Sequence, residues 1–291
     1  MLTFTELYRE DRLEILTSKT ELALALNHKE NATDTIGFVP TMGALHEGHL
    51  SLIRIAKELT DTVVASIFVN PTQFTNSFDL EKYPRPIERD IQLLKEAKCD
   101  FLFIPEVDEM YSSGEKWKID LGELENVLEG KYRPGHYQGV TQIVKKFLDL
   151  IKPDFVFLGQ KDFQQVMILE QMVKLLSIPT ELVMCPIIRE SDGLAFSSRN
   201  IHLSADERQN AIVLSKTLFD IKEKFETLSI SELKQLAWEA LNTVKGVVPE
   251  YFEICDSSTL VPVNTKARNN IIALVAAKVG NTRLIDNIIL K

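Results

Sequence analysis

Two of the chain's five histidines, His46 and His49, lie three positions apart in a segment that also contains Gly43 and Gly48. A predicted buried strand over residues 36–39 precedes this segment, and a predicted amphipathic helix over residues 50–59 follows it. A strand that turns through glycine into a helix directs backbone N–H groups and the positive end of the helix dipole at one point. Both imidazoles would face that point, where they can donate to phosphate oxygens. The pattern predicts a segment that handles the phosphates of a nucleotide.

The same two histidines have simpler interpretations. They could form a metal-binding pair, although the sequence has no Cys or His cluster that would supply a third ligand. They could also be surface residues of the helix without a chemical role, because short motifs produce false matches. From the residues alone these interpretations stay open.

A second strand–glycine–helix arrangement occurs at Gly159-Gln160-Lys161-Asp162, between a predicted strand over residues 154–158 and a predicted helix over 163–176. The ammonium group of Lys161 would lie at the helix entrance, where it could reach phosphates gathered at the strand ends. Read alone, Lys161 could equally be a surface lysine.

A third candidate segment is Phe196-Ser197-Ser198-Arg199-Asn200, which combines two hydroxyls with one guanidinium group. Such a loop can close over a polyphosphate, because arginine binds phosphate oxygens bidentately. The alternative is a plain connection between domains.

The elements that would position these residues alternate along the first part of the chain. Apolar runs predict further strands over residues 61–69, 100–105 and 181–186, and helical periodicity predicts helices over 9–27, 87–97 and 140–150. We interpret residues 28–34 as a turn, 71–74 as a loop, 111–129 as irregular and 131–139 as an ordered loop. This alternation predicts an α/β fold, a Rossmann-like doubly wound parallel sheet, in which ligands bind beyond the carboxyl ends of the strands.

The pattern changes after residue 186. A capping box at Ser204–Glu207 opens a predicted helix that ends near residue 225, and a second helix is predicted over 231–245. Predicted strands over 251–255 and 271–279 lead to a turn at Gly280-Asn281. We therefore expect two domains, a Rossmann-like domain over residues 1–186 and a smaller α+β domain over 187–291 that closes over the site.

Composition limits the classes of partner. The chain has 42 Asp and Glu residues against 33 Lys and Arg, which argues against nucleic acid or an anionic membrane as a partner. Its three cysteines are scattered, which is typical of a reducing compartment. No stretch approaches the ~20 apolar residues of a membrane span, and the first residues do not resemble a signal peptide. We expect a soluble cytoplasmic protein.

Six segments in order give the sequence a specific resemblance. They are Pro40–His49, Ser66–Phe74, Arg133–Val140, Gly159–Gln165, Asp192–Ala195 with Ser197–Asn200, and Arg283–Asn287. Over essentially its whole length the chain resembles the pantothenate synthetase (pantoate–β-alanine ligase) family. That family joins pantoate to β-alanine with ATP and Mg²⁺ through an acyl adenylate, and it releases pyrophosphate and then AMP.

The resemblance implies that the domain over residues 1–186 binds ATP and pantoate, and it implies a role for each matching residue. His46, His49, Lys161 and Arg199 would act at the phosphates, with His49 as the proton donor, and Gln73 and Gln165 would hold pantoate, with Gln73 also near β-alanine. The ATP site would comprise Met42, Gly43, Ala44, Leu45, His46, Glu47, Gly48, His49, Gly159, Gln160, Lys161, Asp162, Ile188, Phe196, Ser197, Ser198 and Arg199. The family also implies a homodimer, while the Mg²⁺ ligands are not evident from the sequence.

Two other functions have to be compared with the ligase. A nucleotidyltransferase would keep the dinucleotide as its product, but the Gln73 and Gln165 pair and the size of the second domain argue against it. A nucleotide-binding regulator would need fewer donors than both histidines, Lys161 and Arg199. Phe196 departs from the family, which often has methionine or leucine there, and the change could affect how the loop closes.

Overall fold

The structure is a computed structural model that describes residues 13–27 and 34–291. The chain divides into two compact units. The first unit ends at Gly159 and resumes over Ile168–Cys185, and the second consists of Gln160–Met167 and Pro186–Lys291. The segment Gln160–Met167 thus groups with the residues that follow Cys185.

A parallel sheet forms the centre of the first unit. In the described ranges its strands lie in the order β1-β4-β3-β2-β5-β6, and each neighbouring pair is parallel. The strands are β1 (Glu14–Leu16), β2 (Ile36–Thr41), β3 (Thr62–Ile67), β4 (Phe101–Phe103), β5 (Phe155–Gly159) and β6 (Glu181–Cys185). This topology confirms the predicted α/β fold.

Helices alternate with these strands along the chain. They are α1 (Lys19–Asn27), α2 (Glu47–Leu59), α3 (Ser77–Lys82), α4 (Ile87–Glu96), α5 (Val107–Met110), α6 (Glu129–Tyr132), α7 (His136–Ile151) and α8 (Phe163–Leu175). Short 3-10 helices cover Pro71–Gln73, Gly122–Glu125 and Gln160–Asp162. Across the described ranges, no helix has both the length and the apolar character that crossing a membrane requires.

The strand sequences are apolar because helices cover the sheet. In β3 every residue after Thr62 is buried, as expected for a strand enclosed on both faces. Ile53 and Ala56 of α2 pack in one apolar cluster with Val39 of β2 and Ala65 of β3. This packing fixes the direction in which α2 leaves the sheet.

The strand order reverses at β2, which has β3 on one side and β5 on the other. Ligands of open α/β sheets bind beyond the carboxyl ends of the strands at such a reversal. Here those ends are Thr41 of β2 and Gly159 of β5. The histidines that the sequence pattern indicated follow the first of these residues along the chain, and Lys161 follows the second.

The second unit contains an antiparallel sheet in the order β7-β8-β9. Two helices pack on it, and each begins with a capping box, at Ser204–Glu207 as predicted and also at Ser229–Glu232. A 3-10 helix covers Ser198–His202. The elements are α9 (Ala205–Lys224), α10 (Ile230–Thr243), β7 (Val247–Asp256), β8 (Ile271–Val279) and β9 (Thr282–Ile289).

The helix predicted over residues 9–27 is wrong over residues 13–18. Glu14–Leu16 form β1, an edge strand that pairs with β4, and the helix begins at Lys19. This strand has three residues, of which only Leu16 is buried. It is therefore too short to show the alternation of buried and exposed residues that is typical of a strand. Residues 9–12 of this prediction, and the turn predicted over 28–34 except for Asp34, lie outside the described residues.

The ordered loop predicted over residues 131–139 is also wrong. Residues up to Tyr132 belong to α6, and α7 begins at His136, four residues before the predicted start. Gly139 favoured a loop in the sequence, but it lies inside the helix because its lack of a side chain lets the helix approach a neighbouring backbone. The predicted loop over 71–74 contains the 3-10 helix Pro71–Gln73.

Candidate active site

The segment after β2 makes a tight turn before α2 begins. Gly43 and Ala44 both adopt a left-handed backbone, with φ of +80° and +51°. The Gly43 N–H donates to Thr41 Oγ1 at 3.1 Å, and that hydroxyl donates to the Ser66 carbonyl at 2.6 Å. Since left-handed φ is unfavourable for alanine, the surroundings must hold this conformation.

Asp90 of α4 supplies that support. Its carboxylate accepts the Ala44 N–H at 2.7 Å and the Leu45 N–H at 2.8 Å, and the residue is only 1% exposed. Burial raises the pKa of Asp90, and the hydrogen bonds from Leu45 and Ala44 oppose that rise. A Cβ on Gly43 would lie 3.0 Å from both Asp90 Oδ2 and Ile67 Cγ2, so the turn accommodates glycine best.

The predicted histidine pair lies where α2 begins. His46 is the N-cap residue, and its carbonyl accepts the backbone N–H groups of His49 at 2.8 Å and Leu50 at 3.1 Å. The two imidazole rings stack with centroids 4.0 Å apart and planes inclined by 28°, and both Nδ1 atoms are buried. The structure therefore places two imidazoles together at the positive end of a helix dipole.

Gln73 lies next to the same turn. Its Nε2 donates to Met42 Sδ at 3.2 Å, and its Oε1 accepts from Asn70 Nδ2 at 3.1 Å. His136 Nδ1 donates to the Gln73 backbone carbonyl at 2.8 Å. Two of the residues predicted for the site, Met42 and Gln73, are thus in direct contact.

A buried polar cluster around Asn70 fixes the position of Gln73. Asn70 Oδ1 accepts from Tyr111 Oη at 2.6 Å and from Thr72 Oγ1 at 3.1 Å, while Nδ2 also donates to the Gly139 carbonyl at 3.1 Å. Burial raises the pKa of Tyr111 to about 12, so its hydroxyl stays protonated and donates. The sequence pattern alone assigned no role to Asn70 or Tyr111.

Gly139 brings α7 against the 3-10 helix that carries Gln73. A Cβ at this position would lie 2.3 Å from the Thr72 carbonyl oxygen and 2.6 Å from the Gln73 nitrogen. Both are backbone atoms, which cannot move aside as the end of a flexible side chain could. Glycine is therefore required here for close packing.

In the second unit, Lys161 lies in the 3-10 helix Gln160–Asp162, which directly follows β5. Lys161 Nζ is 3.9 Å from Asp162 Oδ1, and the lysine side chain is 21% exposed. Gln165 lies in the first turn of α8 and is half-buried. Gly159, also predicted for the site, is the last residue of β5 and belongs to the first unit.

The segment Phe196–Arg199 is held at several backbone positions. The Phe196 N–H donates to the Ile188 carbonyl at 3.1 Å, which brings these two predicted residues together. Ser197 caps the following 3-10 helix by accepting the Arg199 N–H on its Oγ at 3.3 Å. Asn200 then donates to Glu190 Oε1 at 2.8 Å and to the Ala195 carbonyl at 3.1 Å. Ser198 and Arg199 are half-buried within this segment.

A metal ion bound by protein side chains alone would need several ligands in one place. The described residues contain no group of three or more His, Cys, Asp or Glu that could hold one. Mg²⁺ that arrives with a nucleotide needs only one or two carboxylates besides the phosphates and water. Asp162, beside Lys161, is an exposed carboxylate of this kind, with a side chain that is 50% exposed.

Comparison with known proteins decides the family. The family model described as pantoate-beta-alanine ligase matches residues 14–289. The chain belongs to the pantoate–β-alanine ligase family. The pantothenate synthetase of Acetivibrio thermocellus is 42% identical over 282 residues, which are 96% of this chain and 100% of that protein. The pantothenate synthetase of Aquifex aeolicus is 47% identical over 269 residues, 90% of this chain and 93% of that one.

Solved structures of the pantoate–β-alanine ligase family agree with this assignment. Pantothenate synthetase from Thermus thermophilus matches with a TM-score of 0.91 at 39% identity, covering 96% of this chain and 99% of that one. Pantoate-beta-alanine ligase from Francisella tularensis, complexed with beta-gamma ATP and beta-alanine, matches with a TM-score of 0.81 at 36% identity, covering 96% and 98%. The chain is therefore an enzyme that condenses pantoate with β-alanine at the expense of ATP.

Replacing Asp90 by alanine should destabilise the first unit. The substitution leaves the Ala44 and Leu45 N–H groups without their acceptor, and each buried donor that loses its partner costs about 1–3 kcal/mol. Urea denaturation of Asp90→Ala should therefore show a lower free energy of unfolding than that of the unchanged protein. Glu88→Ala removes an exposed carboxylate from the same helix and should change the free energy of unfolding by less than about 0.5 kcal/mol. Equal curves for the two variants would contradict the role of Asp90.

Proposed function

We propose that His46, His49, Lys161 and Arg199 stabilise the charge that develops while pantoate is adenylated. The observation that carries this proposal is the stacked pair of imidazoles at the start of α2, beside a turn whose methionine contacts Gln73. Donors fixed before the reaction stabilise developing charge better than mobile water. Lys161 and Arg199 belong to the second unit, and family membership supports their action on the same nucleotide.

In the first step, a carboxylate oxygen of pantoate attacks the α-phosphorus of ATP. The new P–O bond forms as the bond from the α-phosphorus to the bridging oxygen breaks, and pyrophosphate leaves with the electron pair. Negative charge grows on the bridging and non-bridging oxygens, where cationic or N–H donors are most effective. We assign His49 as the donor to the departing oxygen, with His46 beside it.

In the second step, the amine of β-alanine attacks the acyl carbon of the pantoyl adenylate. The C–N bond forms, the C–O bond to the phosphate breaks, and AMP leaves with the electron pair while the amine gives up a proton. No covalent bond to the protein is needed in either step. Holding the reactants in line supplies much of the rate in reactions of this kind.

We assign pantoate to Gln73 and Gln165, with Gln73 also near β-alanine. Amide side chains bind hydroxyl and carboxylate oxygens without adding a charge that would weaken the attacking carboxylate. The buried contacts of Gln73 with Asn70 and Met42 support this assignment, because they hold its amide in one orientation. The remaining proposed ATP residues are Met42–His49, Gly159–Asp162, Ile188 and Phe196–Arg199.

Mg²⁺ would accompany ATP, and Asp162 is the carboxylate that we propose to contribute an oxygen to it. The ion would neutralise phosphate charge and make pyrophosphate a better leaving group. The relative from Francisella tularensis, complexed with beta-gamma ATP and beta-alanine, supports the same nucleotide and amine for this chain. A homodimer and a cytoplasmic location remain predictions that rest on the family and on composition.

The order of product release tests the proposed function. Protein mixed with ATP, Mg²⁺ and pantoate should release pyrophosphate before β-alanine is added, and AMP should appear only afterwards. Both products can be followed by coupled spectrophotometric assays. Pyrophosphate release without pantoate, or none until β-alanine is present, would contradict the adenylate route.

Lys161→Ala should lower the rate of pantoate-dependent pyrophosphate release by about 10²–10³-fold, because it removes a charge from the transition state. The melting curve should stay unchanged, since the side chain is partly exposed. Lys174→Ala removes an exposed lysine from α8 and should leave the rate unaltered. Normal turnover in Lys161→Ala would refute the assignment.

Gln73→Ala should weaken the binding of pantoate more than the binding of ATP, because the lost amide binds pantoate oxygens. The KM for pantoate should rise about tenfold or more, as expected for the loss of a good hydrogen bond, while the KM for ATP changes little. Gln92→Ala, on the exposed face of α4, serves as the matched control. Equal increases in the KM for pantoate and the KM for ATP would mean that Gln73 does not contact pantoate.

A further inference from the structure

Asn287 binds the short segment that carries Lys161. Its Nδ2 group donates to the Gln160 carbonyl at 2.9 Å and to the Lys161 carbonyl at 3.0 Å, while its Oδ1 accepts from Gln160 Nε2 at 3.1 Å. The carboxamide of Asn287 thus makes three hydrogen bonds to two consecutive residues, two through its N–H groups and one through its oxygen. Asn287 lies in β9 and is 2% exposed, so these bonds are made in a buried setting.

A buried ion pair holds Asn287 in turn. The Asn287 N–H donates to Asp286 Oδ1 at 2.8 Å, and Arg189 binds the same carboxylate bidentately at 2.6 and 3.0 Å. Asp286 is 3% exposed. Burial raises the pKa of Asp286, while the hydrogen bonds and charge of Arg189 lower it.

Arg189 is fixed by further contacts. Its Nη1 donates to the Gly193 carbonyl at 3.2 Å, and its guanidinium group lies 4.9 Å from the ring centroid of Phe219. The chain of contacts therefore runs from α9 through Arg189, Asp286 and Asn287 to the backbone of Lys161. Each link belongs to the second unit.

Fixing this backbone has a consequence for chemistry. Lysine is a point charge on a flexible four-carbon stem, so the position of its ammonium group depends on where its backbone is held. A displacement of about 1 Å, caused by a change away from the reacting atoms, can reduce a rate roughly 10²-fold. Three hydrogen bonds from one side chain are a stronger restraint than the 3.9 Å approach of Asp162 to Lys161 Nζ.

We propose that Asn287, held by the Arg189–Asp286 ion pair, is a positioning residue that places Lys161 for adenylate formation. This inference rests on the proposed function of Lys161. Asn287 acts through the Gln160 and Lys161 carbonyls, and the proposal requires that most of the rate lost on its removal be lost through Lys161.

The test is a double-mutant cycle on adenylate formation. We expect Asn287→Ala to lower kcat for pantoate-dependent pyrophosphate release roughly ten- to a hundredfold, with less than about a threefold change in the KM for ATP. In the Lys161→Ala background the same substitution should cause little further loss, because the two residues form one unit. Asn269→Ala, an exposed asparagine of the same unit, is the matched control.

A second variant guards against a failure of Asn287→Ala to fold. Asn287→Asp lacks both N–H donors but also brings a buried negative charge against the Gln160 and Lys161 carbonyls, so Asn287→Leu, which keeps a similar size without a charge, is the second variant. We expect Asn287→Leu to show a cooperative melting curve and a loss of kcat similar to that of Asn287→Ala. Wild-type kcat in either folded variant would overturn the proposal. A further loss in the double variant as large as in the single one would also overturn it, because Asn287 would then act independently of Lys161. Wild-type turnover in Lys161→Ala would instead refute the proposed function.

Discussion

The two hydrogen bonds from Ala44 and Leu45 to the buried carboxylate of Asp90 determine the geometry of the first unit's site. They hold a turn that contains two successive left-handed residues, and this turn sets the position of His46, the N-cap residue of α2. The stacked imidazoles lie directly after this turn, and Met42, which contacts Gln73, lies directly before it.

The segments after β2 and after β5 look alike in the sequence but are held by opposite kinds of group. After β2, a carboxylate accepts backbone N–H groups, and after β5, a carboxamide donates to backbone carbonyls. In both cases the supporting residue lies on a different element, α4 or β9, and is almost fully buried. Buried polar groups of this kind orient a backbone strongly, because a lost partner is expensive where water cannot replace it.

Much of this architecture could be predicted from the sequence because its signals are local. Apolar runs identified most of the parallel strands, and the capping box at Ser204 located the start of α9. Glycine beside each strand end pointed to the two turns. Long-range support was not predictable in the same way: nothing in the local pattern distinguishes Asp90 from a surface aspartate, and Asn287 lies 126 residues from Lys161. Gly139 is the reason that a loop was predicted where α7 begins, because a glycine needed for close packing cannot be distinguished from a loop glycine in the sequence.

The position of Asn287 also affects how the enzyme is made. A polypeptide leaves the ribosome from its amino end, so the backbone of Gln160 and Lys161 is synthesised long before the strand that ties it down. Until β9 has emerged and paired with β8, the nascent chain lacks the Asn287 side chain that binds the Lys161 carbonyl. The hydrogen bonds that hold the Lys161 backbone are therefore completed only near the end of synthesis.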